Sequence, residues 1–310
     1  MKPSATFQSP DLTNNSTPHN EINIILIILN ALLYVVLVFI NASASSPSIG
    51  IFKNVTGDIS NEHQVDITPA GWTFSTWGII YTWQGLWIVY SIASIFIRNN
   101  GNRLYLVPPV FTRLFFVFIY LHYAFNISWL FIWDNQIFSL AFAFLALLTI
   151  SLYIATAISH KNIYDSETHL TKNRQTKFLW LYRIFLNNGL AFYATWVTLA
   201  TFLNMAIAWT YEWHGERKIA SVICLSFAAL IIFTYFILDV VVLEKFLRYT
   251  YSPYLQLFIA FSGILAKNFS GKSPSAIFSL VLIIVIFLLF VAKIVLSIYR
   301  HKRDSRNRVL

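Results

Sequence analysis

Charge is what this sequence lacks most. Asp, Glu, Lys and Arg together make up 11% of its 310 residues, less than half of the about 25% with which a soluble domain clothes its surface. A water-facing globule is therefore excluded. The single cysteine, Cys224, lies inside an apolar run and rules out an internal disulfide or a cysteine-rich metal site. No HExxH pair, histidine box or clustered Ser/His/Asp set occurs, so the usual signatures of metal-dependent or nucleophilic catalysis are missing. Tryptophan is absent from residues 214–310, although ten tryptophans precede them. No internal repeat of the kind that builds many transporters is present.

What is present is apolar. Hydrophobic residues make up 57% of the chain and aromatic residues 17%, with a mean hydropathy of +0.62. A helix needs about 20 apolar residues to cross about 30 Å of hydrocarbon. Eight stretches qualify: 22–40, 72–97, 112–133, 137–158, 179–209, 219–239, 252–266 and 275–299. They predict an all-α polytopic membrane protein. The fifth is too long for one crossing, with Arg183, Asn187 and Asn188 expected near its start, and the seventh is short. The first is followed by Ala42-Ser43-Ala44, which resembles a signal cleavage site, but its apolar run is longer than a signal core and reads as a retained helix. Polar residues 1–21 read as a disordered tail.

The net charge of +9 does not point to nucleic acid, because the basic residues fall in short loops between apolar runs. Arg98, Arg103 and Arg113, then Lys161, Lys172, Arg174 and Lys177, then the tail from Arg300 to Arg308, share one side if there are eight crossings. The 41–71 loop carries Lys53 against Asp58, Glu62 and Asp66. Both termini are accordingly predicted to be cytoplasmic. Asn41, Asn54 and Asn268 head N-x-S/T triplets on the opposite side, at a frequency that chance also supplies. The tryptophan boundary divides the chain into a five-helix bundle over 22–213 and a three-helix extension with a basic tail over 214–310.

Helical spacing turns isolated polar residues into stripes. His122, Asn126, Trp129 and Trp133 share one face of the third run. Tyr193, Trp196, Ala200 and Asn204 share a face of the fifth, and Trp77, Tyr81 and Gln84 of the second. A polar group at membrane depth needs a partner and faces the bundle interior or a cavity. Two readings stand. The amides bind helices together, each contact contributing about 0.6 to 2 kcal/mol, or the stripes line a pocket for a flat apolar ligand. Trp209 and Trp213 read as interfacial anchors. Pro69 and Gly71 shape a loop that presents Trp72 to the bundle mouth.

Three segments resemble one family. "TPAGWTFSTWGIIY" from Thr68, "AFNISW" at 124–129 and "YATWVTLATFLNMAIAW" at 193–209 are similar to the loop, third-helix and fifth-helix motifs of the TspO/MBR family of tryptophan-rich sensory and translocator proteins. The chain looks like that family's longer relatives with extra C-terminal helices. Pro69-Ala70 stands where the family has Pro-Pro, the step from Gly71 to Trp77 is one residue short, "IWDNQ" replaces the family's ending of the third helix, and Arg217 lies too far on to match its sterol-motif arginine. The resemblance implies a five-helix bundle, often a homodimer, with a pocket beneath the first loop. Family members bind porphyrins, and some bind sterols or synthetic aromatic ligands. Trp77, Asn126, Trp196, Ala200 and Asn204 match pocket-lining positions.

The expectation is a multi-pass receptor or carrier that binds a tetrapyrrole- or sterol-like molecule through Trp72, Trp77, Tyr81, His122, Asn126, Trp129, Tyr193, Trp196, Ala200 and Asn204. Its partners are the lipid bilayer and an apolar aromatic molecule, with porphyrin or haem as a ligand and no cofactor required. A small-solute transporter is the alternative. Porphyrin breakdown, credited to some relatives, is the enzymatic alternative, but no general base sits beside the stripes.

Overall fold

In the computed structural model, residues 19–99, 102–269 and 273–307 are described. Nearly all of the predicted N-terminal tail lies outside them. The helices are α1 (Glu21–Ala44), α2 (Thr56–Glu62), α3 (Thr76–Phe96), α4 (Arg113–Asp134), α5 (Phe138–Lys172), α6 (Thr176–Leu181), α7 (Asn188–Tyr211), α8 (Arg217–Ile237), α9 (Glu244–Leu247), α10 (Ser252–Asn268) and α11 (Pro274–Asn307). Two π-helical turns interrupt them, Tyr182–Asn187 before α7 and Leu238–Val242 after α8. Residues Arg98–Asn99 and Asn102–Arg103 pair as a minimal hairpin in the loop after α3. The protein is an all-α, multi-pass membrane protein.

Among the described residues, seven helices are long and apolar enough to cross a membrane. The seventh expected stretch, 252–266, forms α10, whose 17 residues span about 25 Å at 1.5 Å per residue. It nevertheless runs from one end of the bundle to the other. At its start, Asn188 accepts from the amides of Tyr251 and Ser252. At its finish, Asn268 donates to the Thr68 carbonyl. The fourth and last stretches continue past their expected ends, to Lys172 and Asn307. Apolarity sets only the membrane-crossing part of a helix. Beyond it, α5 is kept helical by the i,i+4 pair Lys161–Asp165 at 2.5 Å and by Ile163 and Leu170, which are buried beneath α6 and α9.

α7 is the hub, with α3, α5, α8 and α10 packed around it. It suits this place because Gly189, Ala191, Ala194 and Ala206 let neighbouring backbones approach. At Gly189 an added Cβ would lie 2.9 Å from Trp83. α4 joins α1 to α5, and α11 covers α8 and α10. One buried apolar cluster contains residues on both sides of the tryptophan boundary, including Trp196, Leu225 and Phe261. Ile25, Leu32 and Val35 on α1, Leu230 on α8, and Ile284 and Phe287 on α11 point outward, as helices in contact with lipid require.

A chain of hydrogen bonds defines one end of the bundle. His19 meets Tyr105, Asn162 donates to Val110, His160 meets Thr250, and Arg248 donates to Asp304. Both described ends of the chain therefore lie at the same end of the bundle. The 45–75 loop closes the other.

Candidate functional site

The closing loop is sewn down at four places. The Asp134 carboxylate at the end of α4 accepts from the amides of Lys53 at 3.0 Å and Asn54 at 2.8 Å. Trp133 donates its indole N–H to the Thr56 carbonyl at 3.2 Å. Asp66 pairs with Arg217 at 3.0 Å, and its amide donates to Ser221 on α8. Finally, the Ala70 amide donates to the Gly263 carbonyl on α10 at 2.9 Å. Thr73 then rests on α10 so closely that a Cβ at Gly263 would lie 2.0 Å from its Oγ1. Asp134 belongs to the "IWDNQ" segment, and here it serves as the loop's anchor.

Beneath the loop is an aromatic cluster. Trp77 stacks on Tyr81 with centroids 5.6 Å apart and meets Trp196 edge-on at 5.9 Å. Phe74 meets the same Trp196 at 6.2 Å and 90°. Trp129 stacks on Trp133 at 5.9 Å and donates to the Asn204 side-chain amide oxygen at 3.1 Å. Between these rings lies a cavity of about 70 Å³, lined by Trp77, Trp129, Trp133, Trp196, Ala200 and Asn204 and roofed by Ile67, Pro69 and Phe74. Cys224 and Leu225 from α8 and Ala260 and Phe261 from α10 complete its wall.

A profile of the TSPO-like protein family matches residues 27–294. The chain belongs to that family. No curated protein and no solved structure matches it. The match to this TSPO-like chain runs through α8 and α10 as well as through the tryptophan-bearing helices.

Of the ten residues singled out by sequence, Trp77, Trp129, Trp196, Ala200 and Asn204 line the cavity. The other five do not. Trp72 is 53% exposed on the outside of the loop. Asn126 is fully buried, accepting from Asn41 on α1 at 2.8 Å and donating to the Tyr193 hydroxyl at 3.1 Å. His122 packs edge-on against Tyr193 at 4.8 Å, with the Leu148 backbone of α5 against it. Asn126, His122 and Tyr193 thus form a polar seam joining α1, α4 and α7, while Tyr81 stacks behind Trp77. Asn41, also a sequon head, is occupied by this seam.

Two polar groups at the cavity stand without a partner, the Trp196 indole N–H and the Ser60 hydroxyl. Trp196 is 5% exposed, and its Nε1 has no hydrogen-bond partner. A buried donor left unmet costs about 1–3 kcal/mol, which a ligand oxygen or nitrogen in the cavity would recover. Sequence reasoning missed Asn41 and the α8 and α10 wall, which lie outside the second, third and fifth apolar runs, and Phe74, whose spacing of three residues before Trp77 puts it on the same face.

A second polar feature lies in the C-terminal helices. Lys293 on α11 and Asp239 in the π-turn after α8 form an ion pair, 1% and 0% exposed respectively. Tyr254 donates to the other Asp239 oxygen at 2.8 Å, and Lys293 also donates to the Leu247 carbonyl at 3.1 Å. Neither residue lies on the aromatic stripes, and Lys293 sits in the most apolar of the described helices.

Proposed function

We propose that this TSPO-like membrane protein binds a flat, apolar aromatic molecule beneath the 45–75 loop, as a receptor or carrier. The observation that carries the reading is the unmet Trp196 donor at a cavity walled by the indoles of Trp77, Trp129 and Trp133. Such a site offers ring stacking, contributing about 0.5–1.5 kcal/mol beyond area burial, and hydrogen bonding through the Trp196 N–H and the Ser60 hydroxyl. The closed cavity is well below the 300 Å³ or more of a drug-sized site. A single aromatic ring, of the size that a cavity of about 150 Å³ accommodates, requires the walls to give slightly. Porphyrin or haem, the class implied by the family resemblance, requires the loop to lift from Gly263 or the α7 side chain Phe202, which also lines the cavity, to move. The role proposed is binding without chemistry, in a bilayer, with both termini on the cytoplasmic side and a homodimer as the family precedent.

The test is tryptophan-fluorescence and absorbance titration of purified protein with protoporphyrin, haem and smaller aromatic probes. Trp77→Leu is expected to weaken binding roughly tenfold, since about 1.4 kcal/mol is one decade. Trp209→Leu, outside the cavity, should leave affinity unchanged. Equal losses in two folded variants would make the aromatic stripe structural. No binding of any probe by the wild type would favour the small-solute transporter, for which the buried Asp239–Lys293 pair is the supporting observation. Bleaching of bound porphyrin would point to an enzyme.

A further inference from the structure

The tryptophan-lined cavity is not the only space among the described helices. A separate cavity of about 380 Å³ lies between α5, α7, α8 and α10, within the range of small-molecule sites. Leu199, Phe202 and Ala228 line both cavities and form the partition between them. One wall is smooth, made by Ala157 on α5 and Ala191, Ala194 and Thr195 on α7. The facing wall is branched, with Ile231 and Ile232 on α8 and Leu257 on α10. No tryptophan lines it.

The opening faces sideways. α5 and α8 both pack on α7, with no packed seam between them. Ala157 on one rim and Ile231 on the other are exposed.

Its polar groups are nearly all satisfied. Tyr153 pairs with Thr198 at 2.7 Å, and Thr195 is bonded to the Ala191 carbonyl. His160 uses both ring nitrogens, on the Thr156 carbonyl and the Thr250 hydroxyl, each at 2.8 Å. Lys161 at the rim is held by Asp165. The exception is Tyr235 on α8. Its hydroxyl is enclosed and has no hydrogen-bond partner, although its ring packs 5.9 Å from Tyr254. Tyr254 spends its own hydroxyl on Asp239.

An apolar, laterally open cavity with one unmet O–H donor and no unpaired charge has a defined complement. We infer that it binds a single aliphatic chain carrying one neutral carbonyl oxygen, which accepts from Tyr235. A charged head group would find no free counter-charge inside. The inference does not rest on the tryptophan-lined site.

The test uses a medium-chain methyl ester with a terminal diazirine, the matching alkane without the ester, and a phosphatidylcholine bearing the same diazirine acyl chain. Each is photolysed with protein reconstituted in bilayers, and labelled peptides are mapped. The ester is expected to label 153–160 or 231–238 and to be competed less readily than the alkane, by roughly two- to tenfold. Tyr235→Phe, which removes only an unpartnered hydroxyl, should erase that preference while alkane labelling persists. Ala157→Trp, at the exposed rim, should block both, and Trp77→Leu should change neither. Labelling by the phosphatidylcholine assigns the occupant to a bilayer lipid, and labelling by the free ester alone assigns it to a free neutral ester. Equal labelling by ester and alkane, a preference that survives Tyr235→Phe, or labels confined to the outer helix faces would overturn the inference.

Discussion

Lys293→Met is the substitution whose outcome follows most directly from the geometry. Methionine keeps the length and much of the volume of the lysine chain, so packing around α11 is preserved and the charge is what disappears. Asp239, with no exposed surface, would then keep only the Tyr254 hydroxyl. Removing one member of a buried ion pair costs about 3–5 kcal/mol, because the remaining charge is left uncompensated. At roughly 2–4 °C per kcal/mol for a chain of this size, melting should fall by about 6–20 °C. The double variant Asp239→Leu/Lys293→Met removes both charges and should recover most of that loss, since apolar replacement of a buried pair is often neutral or stabilising. It leaves Tyr254 and the Leu247 carbonyl short of partners, so a deficit of about 1–3 kcal/mol remains. Thermal melts in detergent would be followed by far-ultraviolet circular dichroism and by tryptophan fluorescence. α8 and α10 wall the cavity that holds Trp77, Trp129 and Trp196, so C-terminal helices that loosen first give a fluorescence step together with the dichroism step. A single variant that melts with the wild type, or a double variant as unstable as the single, would refute the charge argument.

Other outcomes follow from close contacts and satisfied seams. Gly263→Ala places a Cβ against Thr73 and should release the Ala70–Gly263 bond, costing about 1–3 kcal/mol and raising proteolysis within 45–75. Asn126→Leu strands Asn41 and Tyr193 and should cost about 1–3 kcal/mol, and Asn41→Leu/Asn126→Leu should cost less than the sum of the two singles by thermal melting. Tags at the two termini should be accessible from the same side of the membrane in protease-protection assays, and opposite accessibility would remove α10 from the crossings.

Sequence by itself determined the solvent and the helices. With 11% charged residues the chain has no way to cover itself for water, and apolar runs of membrane length must become helices because lipid supplies no partners for bare backbone. It also determined which residues face inward, because a polar side chain at membrane depth seeks a partner. Hence Trp77, Trp129, Trp196 and Asn204 point to the interior in the pattern their spacing gives, and the family motifs were legible at the same positions. Which partner each finds was decided only by the tertiary structure. Asn126 and Asn204 look alike as asparagines on aromatic stripes. Asn126 is closed off by Asn41 from a helix 85 residues away, while Asn204 remains at the cavity wall. Trp72 and Trp77 lie five residues apart, but the loop's anchors on Asp134 and Gly263 turn one outward and the other in. Asp239 meets Lys293 across 54 residues because α8 and α11 pack together. Periodicity tells which face of a helix is buried, and only the packing of distant helices tells what that face meets.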